Sequence, residues 1–386
     1  MKKKILILVL IILPFLKSCT PESGVTDASE NTLSPVQRFE NELDNLRQQK
    51  GIPGMAVAVL EGDEIILAKG YGYADVENKI PVTENTPFHL ASITKTFTSA
   101  LIMQLVEAGE MDLDTPLAEI LIETDFPFPD GSEHGFADAC DKLLQMAGDP
   151  SSPYSYVLQD YHCDLYPITV RHHLTHTSEG VPGTNYHYSG ALYSLLQYVI
   201  ESVTGTDFST RLAGKIIDPL GMTSTIPSLN DAQQQSVRNM CARPYTVNGS
   251  GNPVQSVCGS CAEISASAGM ASTVLDLAKY SIALDKDLIV SAESKGKMFT
   301  RYISNDGRSL PYGLGWFVQQ SSAGKLVWHY GWQPDAYTSL ILKVLDKNLT
   351  LILLANSDGL SASYNLGEGN VLNSPFAVSF LNTVAR

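Results

Sequence analysis

Positive charge is scarce in this chain. Its 386 residues carry 26 Lys and Arg against 41 Asp and Glu, a formal net charge of -15. Four of the lysines, Lys2, Lys3, Lys4 and Lys17, precede residue 19 and no acid does, so the remainder is more acidic still. A surface of that sign repels phosphate backbones, which excludes nucleic acid as a partner. Long apolar runs are also missing: Ile5 to Leu16 is too short to span a bilayer. There is no internal repeat and no low-complexity run. Metal-ligand sets stop short of completion. Cys258-Gly259-Ser260-Cys261 has no second Cys pair at ribbon spacing, and His172 and His176, though i,i+4, have no nearby carboxylate or cysteine. Neither a metal nor a cofactor is expected.

What is present begins with a three-part secretion signal over Met1 to Ser18: three lysines, the apolar run, and a small residue before Cys19. Leu16-Lys17-Ser18-Cys19 is similar to a bacterial lipoprotein processing box, with Lys17 unusual at its second position. The expectation is lipidation of Cys19, a polar tether over residues 19–33 and a globular part over 34–386. That would put the protein at the cell envelope, lipid-anchored on the outer membrane or the periplasmic face. Lipidation leaves five cysteines for an oxidising compartment. Cys140 is expected to pair with Cys163, and Cys241 with Cys258 or Cys261.

Along the globular part, Ser34-Pro35 opens a helix. Gly54 to Leu60 and Glu64 to Gly70 read as strands around a Glu61-Gly62-Asp63 turn. Helical spacing dominates the middle, over Val170 to Thr175, Leu192 to Val203 and Phe208 to Ile217. The period then changes, and Gly313 to Val318, Lys325 to His329, Ala336 to Val344 and Asn348 to Ala355 read as strands before a closing helix, Phe376 to Val384. The fold class expected is α+β, an antiparallel sheet flanked by helices with an inserted all-helical domain. The α+β part covers about 34–112 and 262–386, the helical part about 113–261. Residues 125–164 resemble an insertion near the cleft between them.

Three short motifs carry the chemistry: Ser92-Ile93-Thr94-Lys95, Tyr188-Ser189-Gly190 and His329-Tyr330-Gly331. The first puts a hydroxyl and an amine one helical turn apart, a nucleophile with its base. Two other S-x-x-K matches, Ser294 to Lys297 and Ser322 to Lys325, lie in polar, turn-like sequence. Only Ser92 follows an extended stretch and opens a helix, marked by Phe97, Leu101, Leu105 and Ala108 and ended by Gly109. Tyr188, favoured by register over Tyr186, can pass a proton to a leaving group. The backbone N–H groups of Ser92 and Trp332 can hold an oxyanion, and His329 to Gly331 sit where a strand could lay backbone N–H groups along a substrate.

In these motifs the chain resembles the penicillin-recognising serine hydrolases related to class C β-lactamases, including D-Ala-D-Ala carboxypeptidases, D-aminopeptidases and β-lactamase-like esterases. The resemblance extends through residues 168–178, Tyr193 to Gly205, Pro219-Leu220-Gly221-Met222, Tyr312-Gly313-Leu314-Gly315-Trp316 and Leu353-Leu354-Ala355-Asn356. It implies that Ser92 is acylated, that Lys95 and Tyr188 form the acid/base pair and that residues 329–331 line the substrate. Two positions depart from the family pattern: Gly190 stands where Asn is usual, and His329 where lactamases carry Lys. The expected function is an envelope-anchored serine hydrolase acting on D-amino-acid peptides or small esters. The alternatives are a low-turnover penicillin-binding or sensor protein of the same fold, or a β-lactamase.

Overall fold

Seven antiparallel strands pair in an order that brings the two ends of the chain into one sheet. In chain order they are β1 (Gly54–Glu61), β2 (Glu64–Asp75), β3 (Ile80–Pro81), β4 (Phe317–Ser321), β5 (Gly324–Gln333), β6 (Tyr337–Val344) and β7 (Leu349–Ala355). Their order in space is β4-β5-β6-β7-β1-β2-β3. The seam between the two chain ends is β1 against β7, with Met55 opposite Ala355 and Glu61 opposite Leu349. This is a computed structural model, and it describes residues 33–127, 132–149, 160–229, 234–258, 261 and 263–386. Cys19 and the expected signal, with all of the tether but residue 33, lie outside the described residues, as do 128–131 and 150–159 of the 125–164 stretch. No helix among the described residues is long and apolar enough to cross a membrane.

Both faces of the sheet are covered, which is why its central strands β6 and β7 are buried at every position rather than at alternate ones. On β1, Met55, Val57 and Val59 face the terminal helices α1 (Pro35–Gln49) and α5 (Pro375–Thr383), where Phe39 meets Phe380 edge-on at 5.6 Å. Ala56, Ala58 and Leu60 face the other way, towards α2 (Thr94–Glu107) and α4 (Val274–Asp285). The small side chains on that face let α4 lie close to the sheet. Beyond α2, the core continues into α3 (Leu196–Thr204) through Leu196, Val199 and Ile200. Residues 113–261 hold, besides helices, two short hairpins, Asp125–Pro127 with Glu133–Gly135 and Tyr245–Val247 with Pro253–Gln255.

The disulfides differ from expectation in one respect. Cys140 pairs with Cys163, as its bracketing loop suggested. Cys258 pairs with Cys261, its neighbour three residues on, and Cys241 is a free thiol. The shorter loop closes at less entropic cost, while Cys241 directs its sulfur to the Val237 carbonyl. The first strand of the last group also starts later than its hydrophobic pattern suggested. Gly315 has φ +79° and the Gly313 N–H donates to the Trp316 carbonyl, so a turn occupies 313–316 and pairing begins at Phe317.

Candidate active site

Ser92 sits in a tight turn, Ala91–Ile93, that runs straight into α2. Ala91 has φ +47°, a left-handed conformation costly for a residue with a β-carbon. Four bonds hold it there. The Ala91 N–H donates to His89 Nδ1, Ser339 Oγ donates to the Leu90 carbonyl, the Leu90 N–H donates to the Met270 carbonyl, and Thr94 Oγ1 donates to the Ala91 carbonyl. His89 can accept because burial lowers its pKa to about 4, leaving the ring neutral. From the sheet side, Gly331 presses on the same turn. A β-carbon at Gly331 would lie 2.2 Å from the Leu90 carbonyl oxygen, so only glycine lets β5 approach the serine this closely.

Lys95 lies one turn along, 1% exposed, with Nζ 2.9 Å from Ser92 Oγ. Nζ also donates to the Ser267 carbonyl at 3.0 Å and stands 5.1 Å above the Tyr188 ring and 5.4 Å from that of Tyr193. Burial lowers its pKa to about 7. The neutral amine is therefore accessible near neutral pH, within hydrogen-bond reach of the serine hydroxyl. The other two S-x-x-K matches offer nothing comparable. Lys297 is half-exposed and paired with Glu293, and Ser322 and Lys325 flank a hairpin turn.

Tyr188 completes the group. Its ring stacks on Phe317 and lies 4.4 Å from His176, while its hydroxyl is buried. Burial and the Tyr330 phenol raise its pKa well above the usual tyrosine value, and the Ser92 hydroxyl opposes them. The phenol thus stays protonated. Tyr186 is engaged elsewhere, donating to the Gly367 carbonyl at 2.9 Å. The structure brings Ser92, Lys95, Tyr188, Gly190 and Gly331 together. β4 covers β5 only as far as Trp328, so no strand pairs with that edge of β5 from His329 to Gln333 among the described residues. Trp332 is the exposed residue of this edge.

His329 does not reach the substrate side as expected. It is fully buried, its Nδ1 hydrogen donates to the Tyr330 carbonyl at 2.7 Å, and its Nε2 accepts from Tyr312 Oη at 2.8 Å. Burial, with the Lys95 charge adding to it, lowers its pKa to about 3. The ring is a neutral internal brace. Gly190 leaves space beside the amine: a β-carbon there would meet only Lys95 Nζ, at 3.9 Å.

Several contributors escaped the sequence reading. Ser267 supplies the second acceptor for Lys95, and its hydroxyl joins those of Ser194 and Ser265 at 2.8 and 3.0 Å. Tyr193 donates to the Lys95 carbonyl, and His176 accepts from the Ser189 N–H. His172 instead closes the start of the short helix Val170–Leu174 with Thr169. Of these, Tyr193, Ser194 and the two histidines stood in stretches already singled out. Ser267 lies in an irregular loop with no motif around it.

The family model described as beta-lactamase matches residues 39–372. The chain is 30% identical over 322 residues to the unguisins hydrolase ungD' of Aspergillus campestris, covering 79% of this chain and 59% of that protein. It is 26% identical over 349 residues to penicillin-binding protein 4* of Bacillus subtilis, covering 78% and 68%. The chain thus spans less than two thirds of the length of the first of these relatives. Among solved structures, the octameric penicillin-binding protein homologue from Pyrococcus abyssi superimposes with a TM-score of 0.66 at 26% identity, over 90% of this chain and 77% of that one. The D-amino acid amidase from Ochrobactrum anthropi shares the fold, with a TM-score of 0.63 at 22% identity over 91% and 98%. The chain belongs to the beta-lactamase family.

Proposed function

We propose that this protein hydrolyses small esters or D-amino-acid peptides through an acyl-enzyme on Ser92. The observation that carries the reading is the neutral-capable Lys95 amine 2.9 Å from the Ser92 hydroxyl. Lys95 takes the Ser92 proton as Oγ attacks the carbonyl carbon, and the N–H groups of Ser92 and Trp332 hold the oxyanion. Tyr188 gives its proton to the departing group and regains one from the Lys95 ammonium. Water then attacks the acyl-enzyme, its proton passes to Lys95, and Ser92 leaves reprotonated. The opposite assignment, a Tyr188 phenolate as base, is disfavoured because burial pushes that phenol up while it pushes the amine down.

Gly190 favours esters over acylamides, since no amide side chain reaches from there to a substrate's acylamide. The same feature supports the second reading, a penicillin-binding or sensor protein that is acylated and turns over slowly, and it weighs against a β-lactamase. Labelling Ser92 with a fluorophosphonate and with a fluorescent penicillin, then following release of each label, separates the two. Rapid hydrolysis of nitrophenyl esters supports the enzyme, whereas stable penicillin adducts without ester turnover support the sensor. Lipidation at Cys19 and an envelope location are proposed from the N-terminal sequence, and mass spectrometry of the mature N-terminus tests them.

A further inference from the structure

The proposed mechanism, on which this inference rests, has Tyr188 hand its proton to the departing group, so that group leaves on the Tyr188 side. The Tyr188 ring lies 5.8 Å from the ring of Tyr330. Tyr330 in turn lines a cleft of about 210 Å³ between the end of β5 and residues 361–368. The bond from Tyr186 Oη to the Gly367 carbonyl ties the far wall to the loop that carries Tyr188.

Two features give this cleft a chemical preference. Glu368 is the one acidic side chain that lines it, burial keeps the Tyr330 phenol protonated, and no Lys, Arg or His among the described residues lines the space. The Glu368 charge also reaches the neighbouring phenols, raising both Tyr330 and Tyr186. The indole of Trp332, 42% exposed, lines the same cleft, and its Nε1 donates to Asp358 Oδ1 at 2.9 Å and so fixes the ring. A carboxylate and an exposed indole lining one cleft attract a cation. A departing carboxylate finds no complement: His329 has both ring nitrogens engaged, and Lys95 is buried against Ser92 and Ser267.

We propose that this cleft is a leaving-group subsite for a cation, and that the preferred substrates are esters or amides whose departing alcohol or amine carries a fixed positive charge. Substrates that release a carboxylate-bearing group, such as a C-terminal amino acid, are disfavoured. In the step concerned, the bond between Ser92 Oγ and the acyl carbon forms, the bond from that carbon to the departing oxygen or nitrogen breaks, and Tyr188 protonates the released atom.

Three acetate esters with a common acyl group test this on the full-length protein: the choline ester, its uncharged 3,3-dimethylbutyl isostere, and the ester of 3-hydroxypropanoate. The choline ester should exceed the isostere in kcat/KM by about five- to thirtyfold at low ionic strength, the range expected of a partly exposed cation site, and salt should narrow the gap. The carboxylate ester should be slowest. Glu368→Gln should bring the choline-to-isostere ratio towards one, and Glu368→Lys should invert it; both replace an exposed side chain, and a thermal midpoint checks that each variant folds. A carboxylate ester that is cleaved as fast as the choline ester, or a ratio unmoved by Glu368→Lys, overturns the subsite and leaves the serine-hydrolase reading standing. If the isostere is not hydrolysed and a fluorophosphonate does not label Ser92, the underlying reading falls and the subsite with it.

Discussion

Two lysines among the described residues are buried to the same depth, and they do opposite things. Lys343, on β6, is 2% exposed; its ammonium donates to Asp285 Oδ2 at 2.8 Å, to Thr350 Oγ1 and to Ser281 Oγ. Lys95 is 1% exposed and hydrogen-bonds to a hydroxyl and a carbonyl, with two tyrosine rings beside it. Burial lowers both pKa values, but at Lys343 the Asp285 carboxylate pulls back against it, and at Lys95 no carboxylate does. Burial alone does not make a base. The missing counter-charge does, and it turns a structural residue type into a reactive one.

The largest expected effect follows from removing the amine or its target. Ser92→Ala and Lys95→Met should each lower ester kcat/KM by roughly a hundredfold to ten-thousandfold, the usual cost of losing the nucleophile's base, measured in steady-state assays. Lys95→Met should nevertheless be more stable than wild type at neutral pH and below, because the wild-type fold pays to bury a protonated amine. That advantage is full below pH 7 and disappears as pH rises towards 10.5, where the unfolded chain also loses its proton. Thermal melts across this window check the sign.

At the other lysine the pattern should reverse. Lys343→Met strands Asp285, which is partly exposed, so a loss of about 2 kcal/mol is expected rather than the larger cost of a fully buried orphan charge. Catalytic rate per folded molecule should hold. Denaturant unfolding and active-site titration measure the two quantities separately.

Giving Lys95 the counter-charge it lacks narrows the comparison. Gly190→Asp places a carboxylate where a β-carbon sits 3.9 Å from Nζ. It should raise the acid limb of the pH–rate profile by one unit or more and depress activity at pH 7 about tenfold. Gly190→Asn, which adds an amide without charge, should leave the limb near its place and raise amide hydrolysis relative to ester hydrolysis by a few fold.

The same physics separates what the sequence made legible from what it did not. Ser92 and Lys95 were readable because helical periodicity fixes their separation, and the apolar run Phe97 to Leu105 makes the helix certain. The sheet was readable from its change of period, with β1 and β2 placed to within a residue at their shared turn. The Cys258–Cys261 bond was not, since three cysteines in 21 residues leave the pairing open. Nor was the burial of His329. A strand motif gives the side of the strand but not the partner waiting there, and Tyr312, seventeen residues away, is what turns the ring inward. Ser267 was invisible for a simpler reason: it acts through its carbonyl, which every residue possesses.

The contrast between the two lysines can be read atom by atom. In protein labelled with 13C at the lysine ε-carbon, the Lys95 signal, assigned by its loss in Lys95→Met, should titrate with a midpoint near 7, well apart from the exposed lysines. A Lys95 midpoint above 9 would mean that the amine is charged whenever the protein works, and Ser92 would need another base.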